Sequence, residues 1–233
     1  MKRLCTICAR GGSKGVKNKN TRGLLEKPLI AHSILQAKES KLFESVAVSS
    51  DSVNILEIAK AWGADCLIAR PDDLAQDASP KVPVIQHCVL EVEKLKGYLY
   101  DTIVDLDATA PLRIPTDIIR SVEMLENNRV SNVITGTPAR RSPYFNLVEV
   151  SDAGAVFLSK SLEKPIVRRQ DAPKCFDMNA SIYVWRRNVL LNSLTLFNQD
   201  TMLYVMPEER SIDIDSELDF EFVEFLFRKR KIL

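Results

Sequence analysis

The sequence contains few of the residues that mark several large classes of protein. Only 8 of its 233 residues are glycine and 11 are proline, which excludes collagen-like and low-complexity chains. Lysine and arginine number 32 against 31 acidic residues, for a formal net charge of +1, so the cationic excess of most nucleic-acid-binding proteins is missing. No apolar run approaches the roughly 20 residues that cross a membrane as a helix. The composition therefore predicts neither a nucleic-acid partner nor a membrane association.

Cysteine and histidine are scarce as well. The five cysteines are an odd number in a long chain, a pattern typical of reduced thiols in the cytoplasm rather than of a disulfide framework. The two histidines, His32 and His87, lie in separate helical patterns and form no grouping that indicates a histidine-dependent triad. Hydrophobic residues, by contrast, make up 45% of the chain, enough to bury a substantial core. The chain is expected to be a globular cytoplasmic protein.

Short apolar runs alternate with helical patterns through the first half of the chain. The strands expected there are Leu4–Ala9, Val46–Ser49, Cys66–Ala69, Thr102–Leu106 and Asn132–Thr135. This β-α alternation predicts right-handed crossovers and an α/β fold with a mostly parallel sheet, covered by helices on both faces. Residues 1–233 are expected to form a single domain. In such a sheet a site lies in the loops at the carboxyl ends of the strands.

The alternation breaks at Pro138. Residues 138–180 are irregular and strand-like, with short apolar runs at Asn146–Val150, Ala155–Leu158 and Ile166–Val167. An insertion of this kind is commonly a flap or an arm for a partner subunit. We therefore predict that residues 138–180 form an inserted arm.

Two helix starts are predicted from capping residues. Ser50 and Asp51 are expected to cap a helix that runs towards Gly63. Ser216 begins the last helix, with Asp219 in near capping-box spacing. The last helix is predicted to bury one face, made of Leu218, Phe222, Phe225 and Leu226.

A glycine-rich loop directly after the first strand is the strongest chemical feature. Residues 9–15 read Ala-Arg-Gly-Gly-Ser-Lys-Gly, and Lys19 and Asn20 follow. Glycines let the backbone approach a phosphate, and the cations Arg10, Lys14 and Lys19 supply the charge that a triphosphate requires. The spacing fits neither a Walker loop nor a dinucleotide-binding fingerprint. The loop is predicted to bind phosphate, with an ordinary solvated turn as the alternative.

Two pairs of aspartates compete as a metal site. Asp213 and Asp215 are flanked by isoleucines, and in an extended strand they would point to the same face. Two carboxylates there repel each other unless a cation lies between them, and Mg²⁺ with phosphate oxygens is the natural occupant. Asp105 and Asp107 share the same strand parity, like the Asp-x-Asp motif of nucleotide-sugar glycosyltransferases. The pattern alone does not separate the two pairs.

The loop and the segments after it resemble the acylneuraminate cytidylyltransferases, which are the CMP-sialic acid synthetases and their relatives. The resemblance covers nearly the whole chain in order, and it is carried by Ala9–Gly15, Ser49–Asp51, Arg70-Pro71, Leu74–Asp77, Pro111–Arg113, Arg169-Gln170, Asn179–Tyr183 and Ser211–Asp219. It implies a Rossmann-like α/β domain of nucleotide-diphospho-sugar transferase type, with an inserted arm that mediates homodimerisation. It also implies an Mg²⁺-requiring reaction in which the C2 hydroxyl of a nine-carbon 2-keto sugar acid, a nonulosonic acid, attacks the α-phosphate of CTP. The products are the CMP-sugar and diphosphate.

The resemblance also implies roles for individual residues. Catalytic roles fall to Arg10, Lys19, Asp213 and Asp215, and the last two are also the metal ligands. The residues implied in nucleotide binding are Arg10, Gly11, Gly12, Ser13, Lys14, Lys19, Asn20, Arg70, Asp77 and Ser79. Those implied in sugar binding are Asp107, Thr109, Arg169 and Asn179.

Two departures from the family pattern bear on the sugar. Sialic acid synthetases typically have a glutamine where Asp107 stands, and an arginine where Asp177 stands. Exchanging an amide for a carboxylate removes hydrogen-bond donors and adds negative charge. Bacterial relatives that act on legionaminic acid look similar to the Leu106–Thr109 version, so we expect legionaminic acid rather than N-acetylneuraminic acid. The alternatives are a KDO or other sugar nucleotidyltransferase, a metal-dependent glycosyltransferase, and a non-catalytic nucleotide-binding protein.

Overall fold

A seven-stranded sheet forms the centre of the structure, a computed structural model that describes residues 1–12, 15–164 and 166–232. Across the sheet, its strands are β11 (Met202–Val205), β7 (Asn132–Pro138), β10 (Phe176–Arg186), β6 (Thr102–Leu106), β1 (Arg3–Cys8), β4 (Ser45–Ser50) and β5 (Cys66–Ala69). Strand β10 runs antiparallel to both of its neighbours, and the other pairings are parallel. Two small antiparallel ladders accompany the sheet, β2 (Gly23–Leu24) with β3 (Lys27–Pro28) and β8 (Val148–Val150) with β9 (Val156–Leu158). The predicted mostly parallel α/β sheet is confirmed.

Helices pack on both faces of this sheet, as predicted. Those in the described residues are α1 (Leu29–Ser40), α2 (Val53–Ala61), α3 (Lys81–Lys96), α4 (Pro115–Asn128), α5 (Arg187–Asn192) and α6 (Glu217–Ile232). Side chains of α1, α2 and α4 share one buried cluster with Cys5 and Ile7, while α3 and α5 share another with Leu4. The two clusters use alternate residues of β1 because successive side chains of a strand point to opposite faces. Within the described residues, no helix combines the length and apolar character needed to cross a membrane.

The strand order reverses at β1, and this reversal indicates where a ligand would bind. From β1 the chain crosses over to β4 and β5 on one side, whereas β6 lies on the other side. The loops that leave the carboxyl ends of β1 and β6 therefore diverge. In open α/β sheets, the crevice at such a switch point is where ligands bind.

The predicted cap of α2 is wrong by one residue or more. Ser52 is the N-cap, and its hydroxyl accepts a hydrogen bond from the Ile55 amide at 3.5 Å. Strand β4 continues through Ser50, so the helix cannot begin before that strand ends. The Asp51 carboxylate accepts instead from the Gly11 amide, at 3.0 Å. Asp51 thus holds the glycine-rich loop rather than a helix.

The predicted capping box of α6 is confirmed, and its predicted apolar face is wrong for three of the four residues. The Ser216 hydroxyl accepts from the Asp219 amide at 3.3 Å, and the Asp219 carboxylate accepts from the Ser216 amide at 2.7 Å. The buried side chains are Phe220 and Val223, which join the cluster of Val16, Leu24, Leu29 and Leu112. Of the predicted face, Leu226 packs against this cluster, whereas Leu218, Phe222 and Phe225 are exposed. The helix is apolar on two faces, and packing against that cluster selects one of them.

The inserted segment carries the hairpin of β8 and β9. The predicted strand at Asn146–Val150 is shorter, covering Val148–Val150, and Ile166–Val167 lie outside any strand. All six residues of the hairpin strands are exposed, although five of them are large and apolar. The role of residues 138–180 as an arm stays a prediction.

Candidate active site

A cleft of about 350 Å³ opens at the carboxyl ends of β1, β5 and β6. This is within the usual size range of small-molecule sites. Nine of the predicted site residues line it, namely Arg10, Lys19, Asn20, Arg70, Asp77, Ser79, Asp107, Thr109 and Asp215. They come from segments that are more than 200 residues apart at the extremes, Arg10 and Asp215. The fold therefore brings together most of the predicted nucleotide residues and part of the predicted sugar set.

The loop after β1 is fastened to its neighbours by backbone hydrogen bonds. The Ala9 amide donates to the Ser49 carbonyl at 3.0 Å, and the side-chain amide of Asn20 donates to the Arg10 carbonyl at 2.9 Å. Asn20 Oδ1 is buried and has no hydrogen-bond partner among the described residues. An acceptor in that state is satisfied when a ligand brings a donor. Ser13 and Lys14 lie outside the described residues.

Cations line one side of the cleft. Arg10 Nη1 forms an ion pair with Asp77 Oδ1. Lys19 Nζ donates to the Ile214 carbonyl at 2.5 Å and lies 3.3 Å from Asp215 Oδ1. Arg70 is buried and donates to the Ser49 carbonyl at 2.8 Å. Side chains fixed in this way present positive charge to the cleft without losing further conformational entropy when an anion binds.

Three contacts hold the acidic segment 211–215 against the cleft. The Ile214 amide donates to the Thr109 carbonyl at 2.9 Å, and Asn179 Nδ2 donates to the Ser211 hydroxyl at 3.0 Å. Just before the segment, Arg210 makes two hydrogen bonds of 2.9 Å to the buried carboxylate of Asp117. The segment is not a strand, so the predicted strand geometry of the two aspartates is wrong.

The two aspartates of this segment differ in environment. Asp213 is half-buried, whereas Asp215 is exposed and faces Lys19. Burial raises the pKa of the Asp213 carboxyl, and the negative charges of Asp215, Asp107 and Asp219 raise it further. Uncompensated negative charge of this kind fits a divalent cation. The described residues contain no group of three or more metal-type side chains, so most ligands of such an ion would come from substrate and water, as is usual for Mg²⁺.

The other acidic pair is already neutralised by a lysine. Lys81 Nζ lies 2.8 Å from Asp107 Oδ2 and 3.2 Å from Asp105 Oδ2. Asp105 is buried and also accepts from the Thr6 hydroxyl at 2.8 Å. Burial alone would raise the pKa of Asp107, but Lys81 and hydrogen bonds from Thr109 outweigh it and hold that pKa below its usual range. Each acidic pair therefore contacts one lysine, Asp105 and Asp107 through Lys81 and Asp215 through Lys19, and Asp213 is the carboxyl whose pKa is raised.

The chain matches one known protein family over almost its whole length. The profile of a family described as cytidylyltransferase matches residues 4–230. The chain belongs to the cytidylyltransferase family. A protein of Campylobacter jejuni named CMP-N,N'-diacetyllegionaminic acid synthase is 48% identical over 229 residues, or 98% of this chain and 96% of the relative. The post-translational flagellin modification protein B of Campylobacter coli is also 48% identical, with the same coverage. The resemblance to acylneuraminate cytidylyltransferases is confirmed, and this cytidylyltransferase is an enzyme of the nucleotidyltransferase class.

A solved structure shows the same fold. The CMP:2-keto-3-deoxy-manno-octonic acid synthetase complexed with CTP matches with a TM-score of 0.73 and 18% identity, covering 99% of this chain and 100% of that chain. At this identity the likeness concerns the fold alone. The predicted nucleotide-diphospho-sugar transferase type of sheet is thereby confirmed.

Two predicted sugar residues of this cytidylyltransferase lie away from the cleft. Arg169 is exposed on the inserted segment and donates to the carbonyls of Ala139 and Arg140 at 2.9 and 3.0 Å. Asn179 is buried, with Oδ1 accepting from Thr135 at 2.6 Å and Nδ2 donating to Ser211. The side chain of Asn179 is therefore committed to the core, where it supports the acidic segment.

Sequence reasoning missed Lys81, which lines the cleft of the cytidylyltransferase. A signal was present, because Lys81 begins α3 and a positive charge is disfavoured at the N-terminus of a helix. A cation in that place indicates a nearby carboxylate strong enough to outweigh the helix dipole. Which carboxylate it is depends on the fold, since Asp107 is 26 residues away.

Proposed function

We propose that this cytidylyltransferase transfers CMP from CTP to the anomeric C2 hydroxyl of a nine-carbon nonulosonic acid and releases diphosphate, with legionaminic acid preferred over N-acetylneuraminic acid. The observation that carries the proposal is the placement of Arg10 and Lys19 together with Asp107 and Thr109 in one cleft at the switch point of the sheet. The printed name of the Campylobacter jejuni relative, at 48% identity, supports the choice of sugar.

The nucleotide is proposed to lie along the loop after β1. Its triphosphate is proposed to meet Arg10, Lys19 and the amide of Gly12, with Arg70, Asp77 and Ser79 in the same cleft. Gly11 supports the loop, because its amide donates to Asp51. Cations and backbone amides are the donors that phosphate oxygens prefer. The buried, unpartnered oxygen of Asn20 suits a donor of the nucleotide, such as a ribose hydroxyl. Ser13 and Lys14 are included in this proposal on the sequence pattern alone.

The chemistry proposed is substitution at the α-phosphorus. The bond from the C2 oxygen to phosphorus forms, the bond to the bridging oxygen of diphosphate breaks, and the proton of the C2 hydroxyl passes to water or to a carboxylate of the cleft. Arg10 and Lys19 stabilise the negative charge that gathers on the leaving diphosphate. Asp213 and Asp215 are proposed to hold Mg²⁺, which supplies charge neutralisation at the phosphates when bound. No covalent bond to the protein is required, since positioning and electrostatics carry phosphoryl transfer.

The sugar is proposed to bind on the side of the cleft formed by Asp107 and Thr109. Asn179 contributes indirectly, because it fastens Ser211 at the start of the acidic segment. Arg169 lies outside the cleft of its own chain. It reaches a sugar only where the inserted segment of one protomer approaches the cleft of another.

A homodimer is therefore part of the proposal. The hairpin of β8 and β9 exposes five large apolar residues, Val148, Val150, Val156, Phe157 and Leu158. A patch of this kind on a small hairpin usually marks an interface. We propose that residues 138–180 mediate the pairing, and that the enzyme acts in the cytoplasm, in keeping with its five free cysteines.

The test is diphosphate release from CTP and Mg²⁺ with legionaminic, N-acetylneuraminic, pseudaminic and KDO acids. We expect the highest kcat/KM with legionaminic acid. A clear preference for N-acetylneuraminic acid would refute the choice of sugar, and a preference for KDO would support the second candidate, a KDO cytidylyltransferase, whose fold the structural comparison also matches. CTP binding without diphosphate release from any sugar would indicate a non-catalytic protein.

A further inference from the structure

Lys81 connects two acidic residues at the floor of the cleft. Its ammonium group contacts Asp107 at 2.8 Å and Asp105 at 3.2 Å, and it lies 4.6 Å from the centre of the Tyr183 ring. Burial alone would lower the pKa of Lys81, but the two carboxylates outweigh it and raise that pKa. Lys81 is therefore a fixed cation whose side chain remains 27% exposed to the cleft.

Asp107 is held from both sides. Its Oδ1 accepts from the amide and the hydroxyl of Thr109, at 3.0 and 2.9 Å, and its Oδ2 accepts from Lys81. A carboxylate has about four acceptor positions, so one remains, and the side chain is 25% exposed where it lines the cleft. Asp107 is thus an oriented acceptor that cannot rotate without losing these contacts.

We infer that Lys81 is a positioning residue for the sugar acid, because it holds Asp107 as a charged acceptor for one sugar hydroxyl. The inference rests on the proposed function and deepens it. A sugar hydroxyl fits this place, since its O–H donates to the one free acceptor position of Asp107 while Lys81 and Thr109 hold the carboxylate in place.

The inference also explains why this chain has Asp107 where sialic acid synthetases typically have a glutamine. A carboxylate in an apolar setting would be costly without a cation beside it, and Lys81 provides that cation. The Lys81–Asp107 pair then selects sugars that present a hydrogen-bond donor at this place. A sugar with a keto or carboxylate oxygen there would meet negative charge instead.

The experiment compares K81M, K81R, D107N and the double variant K81M/D107N with wild type. K94M is the matched control, because Lys94 lies on the same helix with its side chain exposed. Calorimetry measures binding of legionaminic acid in the presence of CMP, and binding of CTP alone. Steady-state assays give the KM values for CTP and for the sugar acid separately.

We expect K81M and D107N each to weaken binding of the sugar acid by about tenfold to a hundredfold, as for a hydrogen bond to a charged group. CTP affinity should stay within about threefold of wild type, and K94M should match wild type. Because Lys81 acts through Asp107, the double variant should bind the sugar acid no more weakly than D107N. K81R should lie between K81M and wild type, since it keeps the charge.

Several results would overturn the inference. Loss of CTP affinity with an unchanged sugar KM would make Lys81 a phosphate ligand, and additive losses in the double variant would make it independent of Asp107. If K81M does not fold, the binding measurements on D107N and K81R test the inference instead. If each of these two variants lost CTP binding and sugar binding equally, Lys81 and Asp107 would have a purely structural role. Failure of the proposed function is seen separately, as a wild-type enzyme that binds the sugar acid but releases no diphosphate.

Discussion

Gly15 and Asp215 approach each other so closely that no side chain fits between them. A Cβ atom on Gly15 would lie 2.0 Å from the carbonyl oxygen of Asp215. The two residues belong to the loop after β1 and to the acidic segment before α6, at opposite ends of the chain. The contact therefore closes one end of the cleft and joins the proposed phosphate loop to the proposed metal ligands.

Gly15→Ala should destabilise the protein and weaken CTP binding together. The new methyl group must displace backbone, and overpacking of this kind costs about 1–3 kcal/mol. Thermal unfolding and the KM for CTP measure the two effects. Gly12→Ala is the control for stability, because a Cβ there meets nothing within 4 Å. An unchanged melting temperature in Gly15→Ala would show that the two segments separate freely.

Asp213→Asn should lower kcat by about a hundredfold or more, by analogy with other losses of a charge-stabilising group. The reason is that a neutral amide binds Mg²⁺ more weakly than a carboxylate, because it lacks the negative charge. Diphosphate release at saturating CTP and Mg²⁺ measures it, with Glu123→Gln on the exposed side of α4 as control. Retained activity would instead favour Asp105 and Asp107 as the metal pair, as in a glycosyltransferase.

The same substitution should stabilise the protein at neutral pH when Mg²⁺ is chelated. Burial and neighbouring carboxylates raise the pKa of Asp213 in the folded state. At pH values between the pKa of the unfolded chain and this raised pKa, the folded protein therefore binds more protons than the unfolded chain. Stability of the wild type therefore falls as the pH rises through this range. Melting temperatures of Asp213→Asn and wild type should differ at pH 7 and converge towards pH 4. The prediction would be contradicted if the difference between the two melting temperatures grew as the pH was lowered.

Arg210→Met should cost about 3 kcal/mol of unfolding free energy, the lower end of the range for a broken buried ion pair. Arg210 makes two hydrogen bonds to Asp117, which is fully buried and also accepts from the Tyr204 hydroxyl at 3.2 Å. Removing the guanidinium leaves that carboxylate without its cation. Urea denaturation measures the change, and Arg210→Lys should lose less because it keeps the charge. A loss below about 1 kcal/mol would mean that water replaces Arg210.

Val156→Lys should convert the proposed dimer to a monomer. Val156 pairs with Val150 across the hairpin, and both side chains are exposed in the single chain. A lysine at the centre of an apolar interface would be desolvated without a partner. Sedimentation velocity measures the mass, and Val53→Lys on the exposed side of α2 is the control. A dimer that persists in Val156→Lys would place the interface elsewhere.

Local patterns were sufficient for most of the secondary structure. The strand at Thr102–Leu106 has the predicted bounds, and the capping box of Ser216 and Asp219 forms as expected. The apolar face of α6 was predicted wrongly for three of its four residues, because Phe222 and Phe220 are equally apolar in the sequence. Only the position of the helix above Leu29 and Val16 decides which one is buried.

The site divides in the same way. The motif around Arg10 and Lys19 is local, so the sequence by itself determined the α/β class and the family and predicted the phosphate loop. Only the tertiary structure shows that Asp105 and Asp107 share one cation, because Lys81 reaches them from another helix. It likewise committed Asn179 to the core and left Arg169 outside the cleft. Whether a carboxylate is neutralised or a side chain is buried depends on residues that are distant in the chain. A pattern of neighbouring residues carries no information about those distant contacts.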